Sequence, residues 1–258
     1  IFKQEWTDKD TLEITAYDQM RYLQNKDCFV FKKGTKAHEI FTKVCKSYAL
    51  KYKVYNKATY GIPAWIADGK SLYDMVEFAS DLALLHKGKW YIVRDEYGTL
   101  TFREINTLKK KLCINTSTRL LSYTAINSID EDTYTRVRLY KEDSDDNRYT
   151  YTVTDADKVQ QFGILQYYEK VDDEKSKTWI KSRAKAILAA KKRMSTTFEL
   201  DCIGDTRLRA GDGVVLNFPE LSGWNVKNNR YYFISECEHT WESGSHTMNL
   251  KMQIDFRE

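Results

Sequence analysis

Apolar side chains recur at every second position in many short stretches of this 258-residue chain, and at three- and four-residue steps in three longer ones. A period of two belongs to a strand with one wet face, and steps of three and four belong to an amphipathic helix. The pattern predicts a β-rich α+β protein. Its aromatic content of 14%, including 18 Tyr, suits pleated sheet and supports that assignment.

Ile1 to Trp6 reads as the middle of a strand rather than a beginning, which leads us to expect a longer parent sequence. Leu12, Ile14 and Ala16 alternate with Glu13, Thr15 and Tyr17, and Asp18 to Asn25 reads as a short turn or helix. After a strand at Cys28 to Phe31, Ala37, Ile40, Phe41, Val44, Cys45 and Tyr48 predict an amphipathic helix capped by Thr35. A second helix is predicted from Ser71, with Ser71 and Asp74 as a capping box and Gly88 as its stop. Trp90 to Arg94 and Leu100 to Arg103 then flank Asp95-Glu96-Tyr97-Gly98 as a hairpin.

Strands dominate the second half: Leu120 to Ile126, Thr133 to Tyr140, Tyr149 to Thr154, Ser195 to Ile203, Val214 to Leu216, Tyr231 to Trp241 and His246 to Ile254. One long helix, about 173–194, is expected to pack Trp179, Ala184, Ile187, Leu188 and Lys191 inward. Lys177, Lys181, Arg183 and Lys192 are expected to face out. Short strands crossed by a helix suggest barrel-like β domains. The expected division is residues 1–31 as the remnant of a first β-barrel, 32–112 as an inserted α+β domain, and 113–258 as a second β-barrel domain.

Charge and cysteine usage narrow the function classes. A net charge of +4, spread along the chain, gives no footprint for a specific nucleic acid. No apolar run reaches the roughly 20 residues of a membrane span, so none is expected. Cys28, Cys45, Cys113, Cys202 and Cys237 are odd in number and lack a C-x-x-C pair, which favours reduced thiols over disulfides or zinc.

Catalytic constellations fail for want of partners. His38, His86, His239 and His246 form no H-E-x-x-H pair. His239 and His246 sit on opposite arms of the terminal hairpin and could meet across it, but Glu238 points to the other face, which argues against a metal. No G-x-S-x-G occurs, and nothing in the sequence places a cysteine beside a histidine. Asp172-Asp173 and Asp130-Glu131-Asp132 fall where acids serve as caps. Asp143 to Asn147 lacks the glycine and closing glutamate of a calcium loop and reads as a hairpin tip. Gly204 to Gly213 has no following helix to make a phosphate cradle and reads as β-turns. The reading therefore assigns no catalytic, cofactor-binding or metal-binding residue.

Several segments nevertheless match a known pattern. Leu12-Glu13-Ile14-Thr15-Ala16-Tyr17-Asp18-Gln19-Met20-Arg21-Tyr22-Leu23 resembles a signature of XkdQ/YqbQ-type phage tail proteins. Ser71 to Met75 followed by Gly88 to Gly98 is similar to their middle segment. Phe162 to Gln166 before the long helix, Arg209 to Asp212, Tyr231 to Ile234 and His239 to Leu250 are similar to their ending.

The resemblance runs through the whole chain in order. It implies kinship with late-control-D baseplate hub proteins of contractile tails and with the base of type VI secretion spikes. It further implies a homotrimer whose paired β-barrels form a ring between a hexameric tail tube and a trimeric spike protein, among other baseplate proteins. Such a protein would be made in the bacterial cytoplasm and assembled into a virion or a tail-like bacteriocin. Family members usually carry residues before the equivalent of Ile1 that supply opening strands of the first barrel.

Two other readings compete. A cell-wall (peptidoglycan) hydrolase would need a catalytic Glu or a Cys/His pair in a cleft. A nucleic-acid or polysaccharide module would use exposed aromatics such as Trp65 and Trp224 with Lys109-Lys110-Lys111. Tryptophans that anchor loops or interfaces are the plainer reading.

Overall fold

The computed structural model describes residues 1–7, 11–130, 133–142, 147–173, 176–221 and 226–253. These divide into two compact units: residues 1–109 with 211–213, and residues 110–210 with 214–258.

In the first unit β1 (Lys3–Trp6) pairs antiparallel with β2 (Leu12–Thr15), and a 3-10 turn at Gln19–Gln24 follows. Next come β3 (Lys26–Phe31), α1 (Ala37–Ser47), β4 (Tyr52–Val54), β5 (Trp65–Ser71), α2 (Leu72–Lys87), β6 (Tyr91–Asp95) and β7 (Leu100–Glu104). β3 pairs with β5, while β4, β7 and β6 make a second small sheet. The α1 stripe of Ile40, Phe41, Val44 and Cys45 is wholly buried with Leu72, Met75 and Phe102. Emptying the Phe41 site would cost about 3–5 kcal/mol.

Local chemistry sets the ends of these helices. Ser71 Oγ accepts from Asp74 N at 3.0 Å, and Asp74 Oδ2 accepts from Ser71 N at 3.2 Å, closing the expected capping box. Gly88 takes the left-handed conformation, φ 65°, that ends α2. At α1 the structure corrects the expectation: Lys36, not Thr35, is the N-cap. The Thr35 hydroxyl instead donates to Lys32 O at 2.7 Å, and Lys36 N donates to Glu39 Oε2 at 2.8 Å. From residues 211–213, buried Asp212 accepts from Arg94 Nη1 at 2.9 Å.

The second unit contains β8 (Lys109–Asn115), β9 (Leu120–Ser128), β10 (Arg136–Glu142), β11 (Arg148–Thr154), α3 (Ala156–Phe162), β12 (Gln166–Lys170), α4 (Lys177–Lys191), β13 (Ser195–Ile203), β14 (Gly213–Asn217), β15 (Arg230–Glu242) and β16 (Ser245–Gln253). Six strands form one sheet in the order β8-β14-β15-β16-β13-β9. Its two edge strands are consecutive in sequence and meet at an Asn115↔Thr118 bridge, so the sheet curls into a half-barrel. Phe198, Leu200 and Cys202 on β13, Met248, Leu250 and Met252 on β16, and Val214 and Leu216 on β14 fill its inner face.

β11-β10-β12 form a separate three-stranded sheet, with β10 and β12 parallel. β11 carries the chain back to the start of β10, and α3 lies in the connection from there to β12, which can then run parallel to β10. α4 covers one face of this sheet, burying Ile180, Ala184 and Leu188 against Val137 and Leu139. The β-rich α+β expectation holds, and α4 lies within the stretch read as the long helix. Arg183 and Lys192, expected to face out, instead reach back to carboxylates: Arg183 Nη2 lies 3.0 Å from Glu169 Oε1 and Lys192 Nζ 2.8 Å from Asp155 Oδ2. Their long stems let a charged head travel to a partner that the helical period alone does not reveal.

Candidate assembly surfaces and the histidine cluster

The β1–β2 ribbon is amphipathic by its register. Trp6 faces Leu12 and Gln4 faces Ile14, whereas Lys3, Glu5, Glu13 and Thr15 occupy the other side. The apolar side is open: Trp6 is 68%, Ile14 53% and Leu12 45% exposed. At its near end Phe2 packs on Tyr17, with ring centroids 5.2 Å apart. A two-stranded ribbon with an apolar face in water is marginal by itself, which makes this face a candidate assembly surface. On β3–β5, directly opposed Val30 and Ile66 are likewise 61% and 66% exposed.

At the β15–β16 hairpin the structure joins the two histidines that the sequence placed on opposite arms and adds a cysteine that it did not. A register shift between Ile234 and Glu236 puts Cys237 and His239 on the inward face, opposite Leu250 and Met248. Cys237 Sγ lies 3.3 Å from His239 Nε2, and His239 Nδ1 lies 3.0 Å from His246 Nε2. His246 stacks on Trp241 at 4.3 Å between centroids, with planes 9° apart.

Leu208 O, 2.9 Å from His239 Nε2, assigns the tautomer, because a carbonyl can only accept. Nε2 therefore carries the proton and Nδ1 accepts from His246. The ring nitrogen beside the thiol is occupied as a donor, so it is not the base a cysteine nucleophile requires. The Leu208 carbonyl is itself held by a turn in which Leu208 N donates to Asp205 O at 3.0 Å. Asp205 Oδ2 takes Arg207 Nη2 at 2.7 Å and Arg119 Nη1 at 2.8 Å, and these partners hold its carboxyl well below the usual carboxylate range.

The remaining sequence candidates scatter. His38 accepts from Ala58 N at 3.1 Å, and His86 stacks on Tyr60. Among the described residues no group of three or more His, Cys, Asp or Glu could hold a metal ion. Asp172 and Asp173 are exposed beyond β12. Glu131 and Asp132, the proposed hairpin tip at 143–146 and Trp224 lie outside the described residues. Trp65 is an anchor, packed between Phe31 and Phe78 at 5.8 and 4.3 Å. No helix among the described residues is long and apolar enough to cross a membrane.

The family model described as YQBQ-like matches residues 1–253. The chain belongs to this family. It is 29% identical over 242 residues to YqbQ of Bacillus subtilis (strain 168), covering 93% of this chain and 72% of that protein. It is 26% identical over 246 residues to the phage-like element PBSX protein XkdQ of the same strain, covering 94% and 73%. Among solved structures, the 43 kDa tail protein of prophage MuSo2 from Shewanella oneidensis superposes with a TM-score of 0.64 at 10% identity, covering 93% of this chain and 74% of that one. At that identity the match establishes a shared fold for this YQBQ-like chain.

Proposed function

We propose that this protein is a structural subunit of a phage tail or phage-tail-like baseplate: a hub that forms a homotrimeric ring and joins the tail tube to the spike. The open apolar face of the β1–β2 ribbon carries the reading, since a neighbouring subunit would cover Trp6, Leu12 and Ile14. The name of the relative XkdQ, a protein of a phage-like element, and the tail-protein fold support it. In this reading residues 1–31 contribute to a first β-barrel, 32–112 are an insertion, and 113–258 form a second barrel domain.

Light scattering after size exclusion tests it. A trimer, or a ring formed with tube and spike proteins, is expected, and Trp6→Lys with Ile14→Lys should abolish association while leaving the unfolding midpoint unchanged. A strict monomer at high concentration in the presence of both partners would overturn it.

The contact between Cys237 and His239 favours a second reading, a tail-associated peptidoglycan hydrolase. Release of soluble fragments from purified peptidoglycan, lost in Cys237→Ala, would establish that activity. The proton on Nε2 that Leu208 O requires argues against it.

A further inference from the structure

The three-stranded sheet has a second face, turned away from α4. Register places Arg136, Arg138, Tyr140 and Glu142 of β10 on it, beside Thr154, Thr152, Thr150 and Arg148 of β11 and Gln166, Tyr168 and Lys170 of β12. Four cations therefore share this face with one carboxylate. Glu142 is already engaged, by Arg148 and Lys170, each at 2.6 Å. Among the described residues Arg136 and Arg138 have no ion pair, and Arg136 Nε is shielded from water without a hydrogen-bond acceptor.

We propose that this face docks an acidic protein surface, whose carboxylates pair with Arg136 and Arg138. The two arginines stand at i and i+2 of one strand, about 7 Å apart. Guanidinium forks at that spacing can each take a carboxylate in the bidentate manner, and the flanking Thr152 and Thr154 hydroxyls add donors. Nucleic acid fits less well. Tyr140 is stacked on Tyr168 at 5.0 Å and covered by Arg148 at 4.3 Å, which leaves half-exposed Tyr168 as the one ring of this pair open to a base. The inference goes beyond the ring reading and does not depend on it, because it is tested on the isolated chain.

The probe is a fluorescein-labelled glutamate-rich peptide, titrated by anisotropy at low and moderate salt against a thymidine oligonucleotide of equal length. Peptide binding that weakens with salt, and falls about tenfold or more in Arg136→Glu/Arg138→Glu, is expected. Lys185→Glu, on exposed α4 and away from this face, should leave it within about twofold. Arg138→Lys, which keeps the charge but loses the fork, should fall between the two. Absence of peptide binding, or binding unmoved by the double reversal, overturns the proposal. So does an oligonucleotide that binds more tightly than the peptide and loses that binding in the same variant. Unchanged unfolding midpoints separate a lost surface from a lost fold.

Discussion

Nδ1 of His239 lies 3.0 Å from Nε2 of His246, the two rings meeting from opposite arms of one hairpin. Gly204 is what lets His246 lie there. A Cβ built on Gly204 would come within 2.2 Å of His246 Cγ and Nδ1, and Gly204 N donates to His246 O at 2.8 Å. Gly204→Ala should therefore destabilise the second unit by about 1–3 kcal/mol in denaturant unfolding. Adding His246→Ala should recover most of that loss, because the colliding ring is gone. A double variant no better than Gly204→Ala would show that the cost lies in the backbone.

Cys237 and His239, two residues apart on one strand, share a face by the strand period, but that this face is the inward one was hidden from the sequence by one residue. Counting by twos from buried Tyr232 and Ile234 leads to Glu236 and Glu238, but the irregularity after Ile234 shifts the phase and turns Cys237 and His239 inward. By contrast the meeting of His239 with His246 was legible, since the turn at Glu242–Ser245 fixes which strand faces which. α3 and β12 were not read as elements: α3 is short and buries no residue, so it leaves no apolar stripe. The open apolar side of β1–β2 could not be foreseen, because Trp6 and Ile14 alternate like core residues and only coordinates reveal that they are exposed among the described residues.

Helix α2 offers a test of local chemistry. Ser71 is only 6% exposed, and its hydroxyl satisfies Asp74 N, one of the donors that a helix start leaves without an intrahelical partner. Ser71→Ala should cost about 1 kcal/mol, whereas Ser71→Thr should keep most of the stability. Chemical denaturation of the three proteins side by side checks this, and equal midpoints would mean the cap contributes nothing.

The cysteines should divide by environment. Burial pushes the Cys45 thiol up to about 12 and that of Cys202 up to about 11, while Cys28 and Cys113 are exposed. Only the thiolate reacts with an alkylating agent or a disulfide reagent. In the native protein at mildly alkaline pH, Cys113 and then Cys28, whose thiol is also raised, should be modified first, and Cys45 and Cys202 only on unfolding. Peptide mapping after brief labelling reads the order directly. Early modification of Cys45 would mean that the first unit opens readily.

Asp205 sets how the second unit responds to acid. Hydrogen bonds from Arg207, with Arg119 nearby, hold its folded-state carboxyl below the ordinary range, against an unfolded value of about 3.9. A depressed folded value means that the unfolded chain takes up the proton first. The stabilisation is therefore complete above the unfolded value and is lost as pH falls below it towards the folded value. Asp205→Asn removes the charge at every pH and leaves the 6–7% exposed site with weaker partners. The variant should be less stable at neutral pH by about 1–3 kcal/mol. The gap to the unaltered protein should narrow below about pH 4, where the aspartate begins to lose its own advantage. Urea unfolding of both proteins at neutral pH and near pH 3 measures the two gaps. A gap that stays constant would place the contribution of Asp205 in the shape of the turn that presents Leu208 O to His239, and not in its charge.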